Sequence, residues 1–229
     1  VGVFGCSKTD TKVGNDTFKV TLVLDEGGVN DQSFNQSAWE GALEAKEEYG
    51  IEVSYIESKG ENEYLQNVET AIDQDSDLVV GVGFKLTDTI GEASKSYPEQ
   101  KFAIIDGTYE EIPQNVQPIL FNEAEAGYAV GLIASQMTNT NAVGFIGGMD
   151  IPSVSQFLVG FEKAIKEENK DIKVLSQYAN SFTDAAKGKA IAQQMINNDN
   201  ADIIFTAGGG VNNGAWESCI ENNIKAIGV

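Results

Sequence analysis

Three aspartates stand where a parallel α/β sheet presents side chains to a ligand. Asp25 follows the apolar run 18–24, Asp106 closes the run 101–106, and Asp31 lies in the turn Asp25-Glu26-Gly27-Gly28-Val29-Asn30-Asp31-Gln32-Ser33-Phe34-Asn35. In open α/β sheets ligands bind beyond the carboxyl ends of the strands. Carboxylates there accept hydrogen bonds, so they suit sugar hydroxyls, amino groups or a ring N–H. Two aromatic residues occupy the same kind of position: Phe34 opens a helical segment, and Phe182 sits in Ser181-Phe182-Thr183-Asp184 at another strand end. If two halves of the chain close on each other, these rings can clamp one flat ring, with base–aromatic stacking worth about 1–3 kcal/mol per base. Unpaired carboxylates in a closed cleft are costly, so closure is expected to be coupled to a donor-bearing ligand. Asp31 has a second reading, because it or Ser33 can cap the helix that begins at Phe34. Gly81 and Gly83 admit either close approach of the main chain to a ligand or tight strand–helix packing.

The rest of the composition narrows the chemistry. The 229 residues hold 35 acids against 15 bases, a formal net charge of −20, and every base is a Lys. With no His, there is no Ser-His-Asp or Cys-His catalysis and no imidazole metal site. With no Arg, there is no guanidinium fork for a phosphate or α-carboxylate. Nucleic acid and anionic membrane surfaces would repel the chain. The segment Ala207-Gly208-Gly209-Gly210 lacks the Gly-Lys-Ser/Thr of a P-loop and the spacing of a dinucleotide fingerprint. Paired acids can hydrolyse glycosides, but the sequence shows no obvious nucleophile and no acid marked for a raised pKa. What remains is a kit for binding a neutral polar molecule, with no catalytic residue, no cofactor and no metal expected.

The elements that must carry these residues alternate strictly. Apolar, β-rich runs occupy 18–24, 51–56, 77–83, 101–106, 116–120, 142–147, 172–178, 202–207 and 225–229. Helical patterns fill 34–49, 64–73, 88–96, 123–137, 153–168, 184–197 and 213–222. Near-continuous apolar strands are expected to be buried on both faces, as in parallel sheets, and the alternation means βαβ units. A weak internal echo divides the chain: Ala71-Ile72-Asp73 leading into Asp77-Leu78-Val79-Val80 is repeated as Met195-Ile196-Asn197 leading into Asp202-Ile203-Ile204-Phe205. The expected organisation is a signal remnant and tether over 1–16, one α/β lobe over 17–119 and a second over 120–229. The boundary is expected near Val116–Asn122, where Pro113 and Pro118 bracket a short extended stretch. The last apolar run ends at Val229 with no helix to cover it, so the sequence is expected to lack its natural C-terminal part.

Of the two cysteines, Cys219 lies in a helical segment and is expected to be a small buried side chain. Cys6 follows Val3-Phe4-Gly5 and precedes a polar stretch; the pattern resembles a bacterial lipobox, where signal cleavage leaves a lipidated cysteine. A diacylated Cys6 would hold the domain at the outer face of the cell membrane.

The turn from Asp25 to Asn35 is similar to the D-x-G-x(3)-D-x-S-F-N pattern of the basic-membrane-protein family, the substrate-binding lipoproteins of ABC transporters typified by purine nucleoside receptor A. Gly147-Gly148-Met149-Asp150-Ile151-Pro152 with Phe157 and Gly160-Phe161, then Ser181-Phe182-Thr183-Asp184 and Lys187-Gly188-Lys189, then Ala207-Gly208-Gly209-Gly210 and Gly214, resemble further family blocks in family order. The likeness covers residues 17–229. It implies a type I periplasmic-binding-protein fold of two Rossmann-like lobes, and a purine nucleoside sandwiched between Phe34 and Phe182. It implies base and ribose contacts at Asp25, Asp31, Asn35 and Asp106, with Gly208 and Gly209 lining the pocket, and a monomeric receptor that hands its ligand to an ABC permease. In the family the Ile-Gly-Val run continues into an acidic ribose-binding motif; here it stops at Val229, so a defective ribose subsite is expected. The alternatives are a sugar or autoinducer-type receptor of the same fold, or a nucleoside hydrolase.

Overall fold

Short runs of Val, Ile, Leu and Phe make the strands, and each is followed by a helix that can cover one face of the sheet. The computed structural model describes residues 17–229. Cys6, its proposed lipidation and the 1–16 tether lie outside the described residues. In chain order the elements are β1 (Lys19–Leu24), α1 (Phe34–Tyr49), β2 (Glu52–Glu57), α2 (Tyr64–Asp73), β3 (Leu78–Val82), α3 (Thr87–Ser96), β4 (Lys101–Ile105) and β5 (Val116–Ile119). Then come α4 (Glu123–Met137), β6 (Ala142–Gly147), α5 (Pro152–Glu168), β7 (Lys173–Tyr178), α6 (Ala185–Asp199), β8 (Ile203–Ala207), α7 (Val211–Glu221) and β9 (Lys225–Gly228).

The strands form two sheets, ordered β2-β1-β3-β4-β5 and β7-β6-β8-β9. Every pairing is parallel. In each sheet the chain returns to the other side of its first strand, which places a topological switch point beside β1 and beside β6. Side chains alternate across the first sheet: Val23, Val79 and Ile104 pack with Tyr64, Val68, Leu86 and Ile90 on one face. Leu22, Leu24 and Val82 pack towards Phe34, Ala38 and Trp39 of α1 on the other. The second sheet buries Phe145, Phe205 and Ile203 against Phe161 and Ile165. Its opposite face buries Ile146 and Ile204 against Ile191, Ala215 and Cys219. Cys219 is thus buried, as its helical context predicts.

The expectation of strands buried on both faces holds only in the sheet centres. β2 is an edge strand whose side chains are mostly solvent-facing, the edge strand β7 buries none of its residues fully, and β9 is exposed along most of its length. An edge strand lacks a neighbour on one side, so helices cover it less completely. Helix α4 comes after the strand that closes the first sheet but packs on α5 beside the second. The two helices touch backbone to backbone: a Cβ at Gly127 or Gly160 would collide with the carbonyl of Phe157 or Ala124.

Candidate functional site

The wall built by the first sheet is polar and pre-bonded. Gly28, at φ 70°, turns the chain after β1 and donates its N–H to the Asp25 carbonyl at 3.2 Å. The Asp25 Oδ1 accepts from Gly27 N at 3.0 Å and from Asn35 Nδ2 at 2.7 Å, and Asn35 is buried. Burial raises the Asp25 pKa, against the opposing pull of those hydrogen bonds. Asp31 caps α1: Oδ1 accepts from Ser33 N at 2.9 Å and Gln36 N at 3.1 Å, and Oδ2 from Asn35 N at 2.9 Å. Ser33, the other candidate, makes no side-chain cap. Asp31 nevertheless lines the cavity as well, so the two readings of this residue are compatible.

Asp106 sits just past β4 in the left-handed region at φ 60°, an uncommon conformation for a residue with a side chain. Its N–H is tied to the Ile119 carbonyl at 3.0 Å, while its buried Oδ1 has no hydrogen-bond partner among the described residues. Burial, reinforced by the charge of Glu123, pushes its pKa up to about 6. This corrects the expectation that the cleft holds no acid with a raised pKa. The cause is tertiary, since the shielding comes from packing and the second charge from the start of α4.

The wall built by the second sheet is apolar and shaped by glycines. Gly148 N–H donates to the Ala207 carbonyl at 2.9 Å, Ser181 N–H to the Gly148 carbonyl at 3.1 Å, and Gly210 N–H to the Phe182 carbonyl at 2.8 Å. These bonds join three strand-end loops around Phe182. A Cβ on Gly148 would run into the Phe182 ring, so only glycine lets the ring lie there. Asp184, the expected cap of α6, accepts from Lys187 N at 3.0 Å.

Between the walls lies a cavity of about 430 Å³, within the usual size of small-molecule sites. The structure brings all of Asp25, Asp31, Phe34, Asn35, Asp106, Phe182, Gly208 and Gly209 to its lining. It adds residues to which the sequence reading gave no place in the site: Lys85 and Phe84 after β3, Phe121 before α4 and Glu123 at its start, and Ile151, Val154 and Phe157 around the start of α5. The readable signal for Lys85 was its place two residues past Gly83 at a strand end. For Phe157 it was only membership of a block, since its helical spacing reads as core. Among the described residues no group of three or more Asp, Glu or Cys is arranged to hold a metal ion. The arrangement offers hydrogen-bond acceptors on one wall and flat apolar surface on the other, which suits a planar, donor-bearing solute.

The family model described as "ABC transporter substrate-binding protein PnrA-like" matches residues 18–229. The "CD4+ T-cell-stimulating antigen" of Listeria innocua is 40% identical over 225 residues, 94% of this chain and 62% of that protein. The "ABC transporter nucleoside-binding protein BmpA" of Lactococcus lactis is 39% identical over 214 residues, 92% of this chain and 60% of that protein. The chain therefore spans about 60% of the length of these curated relatives. Among solved structures, an ABC transporter solute-binding protein from Aeropyrum pernix superposes with a TM-score of 0.81 at 30% identity, covering 91% of this chain and 61% of that one. Two parallel α/β sheets flanked by helices are the fold this chain shares with such solute-binding proteins.

Proposed function

The chain belongs to the PnrA-like family of ABC transporter substrate-binding proteins, and from that premise we propose that it is a receptor for purine nucleosides. The base stacks between Phe34 and Phe182, and Asp25, Asp31, Asn35 and Asp106 take the hydrogen bonds of base and ribose, with Gly208 and Gly209 beneath them. The lobes 17–119 and 120–229 close on the ligand and present it to a permease. The protein is a monomer held by a lipid on Cys6 at the outer face of the cell membrane, and it releases its ligand unchanged.

The observation that carries this reading is one cavity lined from both sides by aromatic rings, with carboxylates concentrated on one wall. Stacking needs a flat ring, and buried carboxylates need donors, which a nucleoside supplies together. A nucleotide fits poorly, because its phosphate would enter a strongly acidic site. The Lactococcus relative, named for nucleoside binding, supports the same ligand class. Calorimetric titration with adenosine, guanosine, inosine, uridine and ribose tests the reading. Purine nucleosides are expected to bind and ribose alone is not; ribose binding without nucleoside binding would remove the stacking claim and favour a sugar receptor. Free base released on long incubation would instead point to a hydrolase.

A further inference from the structure

Among the described residues that line the cavity, Lys85 is the one cation. It lies in the short 3-10 turn Phe84–Leu86 after β3, and its side chain is only 16% exposed. Its Nζ is paired with Glu26 Oε1. The other Glu26 oxygen accepts from the Tyr64 hydroxyl at 2.7 Å, and Tyr64 is buried. A buried phenol therefore fixes the carboxylate, and the carboxylate fixes the ammonium. Burial works to raise the Glu26 pKa, but the Lys85 ammonium and the Tyr64 hydroxyl outweigh it and hold the value below the ordinary one. Glu26 is therefore ionised at neutral pH.

An ammonium carries three N–H donors. Glu26 takes one, and no second acceptor for Lys85 Nζ lies within hydrogen-bonding distance among the described residues. Glu26 is the chain neighbour of Asp25, and Asp25 and Lys85 both line the cavity, so the ion pair sets the ammonium at the same end of the cavity as the Asp25 carboxylate. That end offers a fixed donor beside a fixed acceptor. Lys85 is already neutralised by Glu26 and stands among Asp25, Asp31 and Asp106, so a phosphate gains little from it.

We propose that Lys85 is a specificity-determining residue that selects 6-oxopurine nucleosides over 6-aminopurine nucleosides. The proposal rests on the purine-nucleoside reading above and names the subclass. A 6-oxopurine presents a carbonyl oxygen beside a ring N–H, which complements an ammonium beside a carboxylate. A 6-aminopurine presents the reverse, an amino group beside an unprotonated ring nitrogen. The ring cannot be turned to exchange these positions without displacing the ribose. Opposing an N–H₂ to the ammonium leaves both donors unpaired in a desolvated site, and such mismatches discriminate strongly.

The test is the ratio of affinities for inosine and adenosine, measured by calorimetry on the wild-type protein and on Lys85→Met. The wild type is expected to prefer inosine by roughly tenfold or more, and Lys85→Met to lose most of that preference. Purine riboside, which lacks the 6-oxygen, should bind the wild type no better than adenosine; this arm needs no variant and stands even if Lys85→Met folds poorly. Equal losses for inosine and adenosine in Lys85→Met, or a wild type that prefers adenosine or purine riboside, overturn the assignment. A wild type that binds uridine or ribose but no purine nucleoside overturns the receptor reading on which it rests.

Discussion

The two walls of the cavity divide the work of recognition. The first supplies Asp25, Asp31, Asn35 and Asp106, most of them already held by Gly27, Ser33, Gln36 or one another before any ligand arrives. The second supplies Ile151, Val154, Phe157 and Phe182 on a frame of glycines, and its hydrogen bonds join backbone to backbone around the ring. The contrast teaches which wall chooses and which closes. Pre-bonded carboxylates have fixed directions and discriminate between ligands; an apolar surface gains by excluding water and discriminates by shape. A ligand is then expected to settle first on the polar wall and be covered by the other.

The sharpest way to break this contrast is to remove one group from each wall. Asp25→Ala is expected to weaken nucleoside binding by about 1.5–3 kcal/mol, the usual worth of a hydrogen bond to a charged group. Ile151→Val on the facing wall removes one methylene and should cost about 0.8 kcal/mol. Titration calorimetry on both variants decides: comparable losses would mean that the walls do not differ in kind. Next in size are the rings. Phe34→Ala and Phe182→Ala are each expected to lose about 1–3 kcal/mol of affinity. An unchanged affinity in either variant removes that ring from the site.

A subtler comparison uses two aspartates with the same structural task. Asp31 caps α1 and Asp184 caps α6, but only Asp31 lines the cavity. Replacing either with Ala should reduce stability by about 1 kcal/mol, read from denaturant unfolding. Only Asp31→Ala should also weaken the ligand. Asp31→Asn keeps a good capping residue, so it isolates the charge.

Much of this arrangement was legible because it obeys local rules. Phe34, Asp25, Asp106 and Phe182 come after strands, and a parallel sheet gathers the loops at its strand ends along one edge. The helix starts at Phe34, Tyr64 and Glu123 were readable for the same reason, as apolar periodicity meets polar punctuation there. The cavity positions of Ile151, Val154 and Phe121 were not legible. Their place in the cavity depends on how one sheet faces the other, which no local pattern encodes. Lys85 escaped because a lysine at a helix start reads as solvated; only the fold shows Glu26 and buried Tyr64 beside it. Asp31 was ambiguous for a physical reason: capping uses lone pairs facing the helix and leaves the carboxylate's outer edge free.

Asp106 gives the smallest effect, since it is partly exposed and water screens its charge. An exposed aspartate titrates near 3.8, whereas burial and Glu123 bring Asp106 to about 6. Between those values the folded protein keeps a proton that the unfolded chain has lost. Stability of the unliganded protein should therefore fall as pH rises through this window and level off above it. Burial also raises Asp25, which moves stability the same way, while lowered Glu26 opposes it, so the informative quantity is a difference between variants. Asp106→Asn is expected to melt at a higher temperature than wild type at pH 7 and to lose that advantage near pH 4. A ligand that donates to the unpartnered Oδ1 stabilises the charged form, so wild-type affinity should weaken as pH falls below about 6. A melting difference that is flat across pH would show that the Asp106 carboxylate is not held away from water, and the polar wall would lose the one member whose partner must come from the ligand.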